Sequence, residues 1–200
     1  MITVIPSTYF GNIHYYQTVF NKASIQIEAF EHIDKQSLRN RCEILTPNGV
    51  QSITIPINKL NGSKTPINLV EIANNQDWRK DHWKAIESAY SASPYFEHYE
   101  VEVKNLIYQE EKNLLKFNQK IIETIIDWLS LPVEINFTTE YMNSNEIEFE
   151  DFRKLLSDKK NNFINHPKYI QVFNSKEKFN YNLSILDAIF CIGPMARKLL

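Results

Sequence analysis

The stretch ITVIPSTYFGNIHYYQTVFNKASIQIEAF, residues 2–30, decides the fold. Residues 2–5 are apolar or β-branched and stop at Pro6, which is typical of a short strand. Residues 9–21 carry apolar side chains at spacings of three, four and seven, and this period predicts a helix. Apolar and polar residues then alternate over 24–30, which predicts a second strand. We therefore predict two parallel strands joined by a right-handed helical crossover.

A β-hairpin is predicted for residues 41–57. Its turn is the segment Thr46–Gly49, where proline presets φ and the Asn-Gly pair supplies positive φ. Residues 51–57 then alternate between polar and apolar side chains, as a half-buried strand does. One more strand is predicted over residues 67–72.

Helical periodicity dominates the rest of the chain. Trp78, His82, Ile86 and Tyr90 recur at every fourth position and predict a helix, with Asp77 as its N-cap. The other predicted elements, in chain order, are one long helix over 100–129, a short strand over 135–137, a helix over 146–157 and a helix from residue 183 that Gly193 caps.

This order of elements predicts an α/β fold. A β-α-β opening contributes to a mixed sheet, a β-hairpin follows, and the C-terminal half is mostly helical. The length of 200 residues suits a single domain, residues 1–200.

Composition and charge exclude several classes of partner. The net charge of -2 gives no basic footprint, so we expect no binding to nucleic acid. No apolar run reaches the roughly 18 residues that a membrane span needs, so we expect no span. The N-terminus has neither a basic region nor a long apolar stretch, which predicts a cytoplasmic protein. Cys42 and Cys191 are then expected to be reduced thiols.

No metal site or cofactor motif is recognisable. His14, His32 and His98 do not stand at the spacing of zinc ligands. With only 4 glycines, a Gly-rich phosphate loop is disfavoured. The cofactor is therefore unknown at this point.

His82 and Asp187 are the candidate catalytic residues. His82 shares a helical stripe with Trp78 and Tyr90, so it is either a core histidine bonded to a carbonyl or a general acid/base. Asp187 lies within an apolar helix, where a carboxylate needs a partner. It is either a structural ion pair or helix cap, or the group that orients a catalytic side chain.

Six residues are candidates for substrate binding. Arg41, next to Asn40 before the hairpin, could hold a phosphate with its planar fork, or could be an ordinary surface arginine. His166 and Gln171 either form an aromatic-anchored turn or supply hydrogen bonds to a sugar. The tyrosines are mostly core residues, with a few that line a cleft through their polar tips. The members of the set are Asn40, Arg41, Tyr9, Tyr95, His166 and Gln171.

Five segments in this order resemble the WbqC-like protein family. They are Tyr9-Phe10; Asn40-Arg41 with Thr46-Pro47-Asn48-Gly49 and Ile55-Pro56-Ile57; Trp78, His82, Ile86, Tyr90 and Pro94-Tyr95-Phe96 with Tyr99; His166-Pro167, Tyr169, Gln171 and Phe173; and Leu183-Ser184-Ile185-Leu186-Asp187 with Phe190 and Gly193. Together they run from near the first residue to Gly193.

The resemblance implies a cytoplasmic group-transfer step on an activated sugar, because members of the family are associated with O-antigen gene clusters. A small-molecule substrate such as a nucleotide sugar is implied, and a homodimer stays open. Three departures from the family pattern support an alternative, a catalytically divergent binding or scaffold protein. Ile5 stands where the family has a leading histidine, His14 replaces a glycine, and residues 143–165 contain no glycine.

Overall fold

The fold is built from eight strands and five α-helices in the parts of the chain that the structure describes. A computed structural model describes residues 1–33, 37–74, 76–145, 148–156, 166–173 and 179–200. In chain order the elements are β1 (Ile2–Ile5), α1 (Ile13–Phe20), β2 (Ser24–Ile27), β3 (Arg41–Thr46), β4 (Gly49–Thr54), β5 (Ile57–Asn58), β6 (Glu71–Ile72), α2 (Trp78–Tyr90), α3 (Phe96–Tyr108), α4 (Leu114–Trp128), β7 (Glu134–Phe137), β8 (Phe149–Asp151) and α5 (Ile185–Ile192).

A four-stranded sheet in the order β7-β2-β1-β8 lies at the centre, and all three of its strand pairs are parallel. The α/β class and the parallel β1-α1-β2 opening are thereby confirmed. In chain order, β2 pairs beside β1 and β7 pairs beside β2, so the sheet first grows in one direction. β8 then pairs on the other side of β1. The direction of growth therefore reverses between β1 and β8, which makes this a topological switch point.

Among the described residues, the antiparallel strand pairs form two smaller sheets. β3 and β4 form the predicted hairpin, with Arg41 opposite Thr54 and Thr46 opposite Gly49. Gly49 has φ of 99°, as the tight turn requires. β5 and β6 form the other pair. Parallel and antiparallel strands both occur, as predicted, but in separate sheets.

The predicted long helix over 100–129 is wrong, because the chain forms two helices there. α3 ends at Tyr108 and α4 begins at Leu114, with the Asn113 side chain accepting a hydrogen bond from the Lys116 N–H as an N-cap. The backbone between the helices pairs instead with the segment around β6: the Ile72 N–H donates to the Lys112 carbonyl. Tertiary hydrogen bonding therefore overrides a continuous apolar face.

Two further predictions also need correction. Residues 67–72 open with a 3-10 turn over Ile67–Leu69, and only Glu71–Ile72 is a strand. The predicted helix over 146–157 is the strand β8 followed by the 3-10 helix Arg153–Leu156; residues 146, 147 and 157 of that prediction lie outside the described residues. β8 is extended because its backbone completes the sheet beside β1.

A continuous apolar core joins β1, α1 and the hairpin to α2, α4 and α5. Within the described ranges, no helix is both long enough and apolar enough to cross a bilayer.

Candidate functional site

The four parallel strands all end at the same edge of the sheet. The segments that follow the strands at this edge are residues 6–8 after β1, 28–32 after β2, 138–142 after β7 and 152–154 after β8. Ligands of open α/β sheets bind at this carboxyl edge, next to the switch point.

A cleft of about 480 Å³ opens at this edge, and we name it the carboxyl-edge cleft. Its volume lies within the roughly 300–1,000 Å³ range of small-molecule sites. Its lining residues come from the loops after β2, β7 and β8 and from the segment before the hairpin: Phe30, Glu31, His32, Arg39, Tyr141, Asp151, Arg153 and Lys154.

Arg39 and Glu31 form a buried pair in the wall of this cleft. Arg39 donates from Nε to Glu31 Oε1 at 2.7 Å and from Nη2 to Oε2 at 2.5 Å, and only 2% of Arg39 is exposed. Burial raises the pKa of Glu31, although its hydrogen bonds to Arg39 oppose that shift. Arg39 Nη1 is buried and has no hydrogen-bond partner among the described residues. The two N–H groups of Nη1 are therefore left without a partner in a residue that lines the cleft.

Arg153 organises the opposite side. It donates from Nε to Asp151 Oδ1 at 2.9 Å and from Nη2 to Oδ2 at 2.6 Å, and these bonds lower the pKa of Asp151. Its guanidinium also packs over the rings of Tyr141, at 4.8 Å, and Phe149, at 5.3 Å. Tyr141 is 54% exposed, so the stack presents a tyrosine ring to solvent at the mouth of the cleft.

Glu28 connects the loops of the cleft through buried hydrogen bonds. This fully buried carboxylate accepts hydrogen bonds from the Phe30 N–H, the Thr138 hydroxyl and the Met142 N–H. Arg153 Nη1 lies 3.4 Å from its Oε2. Glu28 therefore joins the loops after β2, β7 and β8 and holds the cleft in one shape.

The predicted catalytic residue His82 lies elsewhere, in the core between α2 and the N-terminal segment. Its Nδ1 is 2.9 Å from the Tyr9 hydroxyl, and both side chains are buried. Burial lowers the pKa of His82 to about 4, against a hydrogen bond to the Thr54 backbone. His82 is thus a neutral imidazole with partners on both sides, and Tyr9 is one of them.

Acidification tests this arrangement. Because the folded-state pKa of about 4 lies below the ordinary histidine value of about 6.5, neutral His82 stabilises the fold above pH 6.5. That stability is lost as the pH falls. Relative to a His82→Gln variant, the wild type is expected to lose about 2 kcal/mol between pH 7 and pH 5, measured by urea unfolding.

The exposed His98 on α3 provides the matched control: a His98→Gln variant is expected to follow the wild type across the same range. A His82 imidazole that titrates near pH 6.5 by NMR would contradict the buried, neutral assignment.

Asp187, the other predicted catalytic residue, is the centre of a buried hydrogen-bond network. Its carboxylate is fully buried and accepts from the hydroxyls of Tyr90, at 3.0 Å, and Tyr169, at 2.5 Å. It also accepts from Gln171 Nε2 at 3.1 Å. Burial raises the pKa of Asp187, and these three donors oppose the shift. Gln171 in turn pairs with the backbone of Asn180 through both ends of its amide.

His166 stands next to this network in an aromatic setting. Its Nδ1 is 3.0 Å from the Pro167 carbonyl, which requires a proton on Nδ1. Its ring packs with Tyr169, Phe179 and Tyr181 at centroid distances of 6.2, 5.7 and 5.3 Å. His166 thus lies among aromatic rings, and both alternatives predicted for it stay predictions.

The other predicted binding residues lie at separate places. Asn40 Nδ2 donates to the Ile55 carbonyl inside the core, and Arg41 Nε donates to the Thr54 hydroxyl on the hairpin. Tyr95 packs against Gly193, where a Cβ would come within 2.5 Å of its ring. No hydrogen bond or ion pair among the described residues links Arg41 with His82 or Asp187. The structure thus groups Tyr9 with His82 and Gln171 with Asp187. Arg41 shares a small pocket with Tyr9 and contacts Thr54, whose backbone is also a partner of His82. The functional roles predicted for these residues stay predictions.

The sequence patterns do not indicate the carboxyl-edge cleft. Its charged members are Glu31, Arg39, Asp151, Arg153 and Lys154, none of which belongs to a recognised motif. A signal was available, because ligand sites follow the carboxyl ends of parallel strands and β2 was predicted correctly. Within the described ranges, no three His, Cys, Asp or Glu side chains are grouped closely enough to hold a metal ion.

Fold and cleft define a parallel α/β protein with a small-molecule-sized site at its switch point. A family model described as "WbqC-like protein family" matches residues 7–158. The chain therefore belongs to the WbqC-like protein family.

One curated relative is the uncharacterized protein Rv1507c of Mycobacterium tuberculosis (strain ATCC 25618 / H37Rv). It is 30% identical over 112 residues, which cover 54% of this chain and 46% of Rv1507c. The chain thus aligns with less than half of that relative's length. No solved structure matches the chain.

Proposed function

We propose that the protein binds a phosphate-bearing sugar precursor in the carboxyl-edge cleft and takes part in transferring a group on it. The observation that carries this proposal is the free Nη1 donor of buried Arg39 beside a 480 Å³ cleft at the switch point. A buried guanidinium donor without a partner is costly, and a ligand phosphate would satisfy it.

Other groups in the cleft suit the same ligand. The exposed Lys154 adds a third positive side chain beside Arg39 and Arg153, and no ion pair within the described residues engages it. The Tyr141 ring over Arg153 offers a face on which a sugar or base can stack. His32 is exposed in the lining, and imidazole is the side chain best suited to move a proton near neutral pH. The surface-polysaccharide pathway and the cytoplasmic location, both implied at the sequence level, belong to this proposal.

Calorimetric titration with uridine diphosphate glucose, glucose 1-phosphate and pyrophosphate tests the proposal. A saturating ligand at ten times Kd is expected to stabilise the fold by about 1.4 kcal/mol, a rise in Tm of about 3–6 °C. Arg39→Lys keeps the charge but removes the free Nη1, and it is expected to weaken binding about tenfold or more.

Arg41→Gln is the matched control, since Arg41 lies two positions further along the chain but outside the cleft lining. It is expected to bind like the wild type. If Arg41→Gln lost binding and Arg39→Lys kept it, the site would lie at the hairpin instead. If no phosphate-bearing compound bound the folded wild type, the proposal would be rejected.

A binding or scaffold protein is the second candidate function. Ile5, at the position of the family's leading histidine, is the last residue of β1 and is fully buried at the carboxyl edge. An imidazole is thus replaced by an inert side chain at the edge that would carry the chemistry. NMR of the sugar nucleotide, incubated with protein and candidate acceptors, separates the two functions: binding without any new product favours the second.

A further inference from the structure

A second cleft, of about 680 Å³, lies on the C-terminal side of the molecule, and we name it the aromatic cleft. It differs from the carboxyl-edge cleft in having a mostly apolar lining. Its defining residues are Tyr95, Tyr169, Ile192, Met195, Lys168 and Lys198.

Both aromatic walls of this cleft are held from behind. Tyr95 packs its ring against Gly193, whose φ of 55° and missing Cβ allow the close approach. Tyr169 is held by the hydrogen bond from its hydroxyl to buried Asp187 at 2.5 Å. Because that hydroxyl already donates its hydrogen bond to Asp187, Tyr169 presents its ring to the cleft and no hydrogen-bond donor. The walls are therefore preformed, which lowers the entropic cost of binding.

The charges at the aromatic cleft are of one sign. Lys168 and Lys198 are its charged lining residues, both are exposed, and neither forms an ion pair with a carboxylate in the described part of the chain. Asp187, which accepts the Tyr169 hydrogen bond, is fully buried. Lys168 Nζ also lies over the Tyr181 ring, at 6.0 Å from its centroid. An apolar cleft with two ammonium groups that no described carboxylate pairs is complementary to a molecule with an apolar body and an anionic end.

We propose that the aromatic cleft binds an acyl chain that ends in an anionic group. The chain lies between the Tyr95 and Tyr169 rings and along Ile192 and Met195, and the anionic end contacts Lys168 and Lys198. A sugar is a poor occupant, because the apolar walls offer it few hydrogen bonds. This site is separate from the one in the proposed function, so an Arg39→Lys variant retains it.

Titration of the full chain with decanoate, decyl phosphate, decanol and decyltrimethylammonium, each below its micelle concentration, tests this inference. The two anions are expected to bind at least about tenfold more tightly than decanol, and the cation more weakly still. The tighter of the two anions identifies the end group as a carboxylate or a phosphate.

Variants locate the binding. Lys168→Gln/Lys198→Gln is expected to lower the affinity for the anions about tenfold and to leave decanol unchanged. Met195→Glu changes a side chain that is already 47% exposed, so the fold tolerates it, and it is expected to weaken the binding of decanol and of the two anions. The control is Lys116→Gln/Lys120→Gln on the exposed face of α4, which is expected to bind like the wild type.

Equal affinity for decanol and decanoate would overturn the inference, as would an absence of saturable binding. So would a wild-type dimer that ignores all four probes and that Met195→Glu converts to a monomer. That result would assign the cleft to a second copy of the chain.

Discussion

Arg39→Ala is expected to destabilise the fold by about 3–5 kcal/mol, measured as the change in free energy of unfolding in urea. The substitution leaves Glu31 buried without its partner, and an uncompensated buried charge carries a cost of this size. It also removes the Arg39 Nη2 hydrogen bond to the Arg153 carbonyl, which joins the two sides of the carboxyl-edge cleft.

Two comparisons separate the cost of leaving buried Glu31 without a partner from the cost of losing any arginine side chain. Arg41→Ala removes a half-exposed guanidinium with one hydrogen bond and is expected to cost less than about 1 kcal/mol. A Glu31→Leu/Arg39→Met double variant removes both charges and is expected to be more stable than Arg39→Ala alone. Equal effects of Arg39→Ala and Arg41→Ala would show that water reaches the Glu31–Arg39 pair.

Asp187→Ala is expected to destabilise the fold by about 3 kcal/mol. The variant leaves the hydroxyls of buried Tyr90 and half-buried Tyr169 and one N–H of the Gln171 amide without their acceptor, at about 1–3 kcal/mol for each unsatisfied group before relaxation. Asp187→Asn keeps an acceptor oxygen and removes the buried charge, so it is expected to cost only about 1 kcal/mol. Urea unfolding at pH 7 measures both.

Asp127→Ala, at an exposed position of α4, is the control and is expected to change stability by less than about 0.5 kcal/mol. The pH dependence provides a second check. Since the pKa of Asp187 is raised in the fold, its protonated form is favoured there, and its contribution falls as the pH rises through that pKa. The free energy of unfolding of the wild type is thus expected to rise relative to that of Asp187→Asn as the pH falls toward about 4. A constant difference would show an unshifted carboxyl group.

Local sequence patterns predicted the parts of the fold that local physics controls. The alternation in residues 24–30 and the Asn48-Gly49 turn sufficed for β2 and the hairpin. The break between α3 and α4 could not be predicted this way, because it depends on Lys112 pairing with Ile72, far away in the chain. β8 was missed for the same reason, since its partner strand is β1.

The candidate site was harder to predict, because its residues meet only through the sheet. Arg39 and Arg153 are 114 positions apart, yet they share a hydrogen bond. Single-residue reasoning favoured His82, whose chemistry is suggestive by type but whose surroundings make it neutral and enclosed. Burial and partners decide such cases, and neither can be read from one sequence.

The pairing of β1 with β8 has a consequence for co-translational folding. The strand at residues 2–5 leaves the ribosome before its neighbour at 149–151, which emerges only after residues 6–148 have been made. During synthesis, the edge of β1 that later pairs with β8 is therefore unpaired. Unpaired strand edges promote aggregation. The cleft can form only after residue 153 has emerged, so a truncated nascent chain is expected to have no carboxyl-edge site.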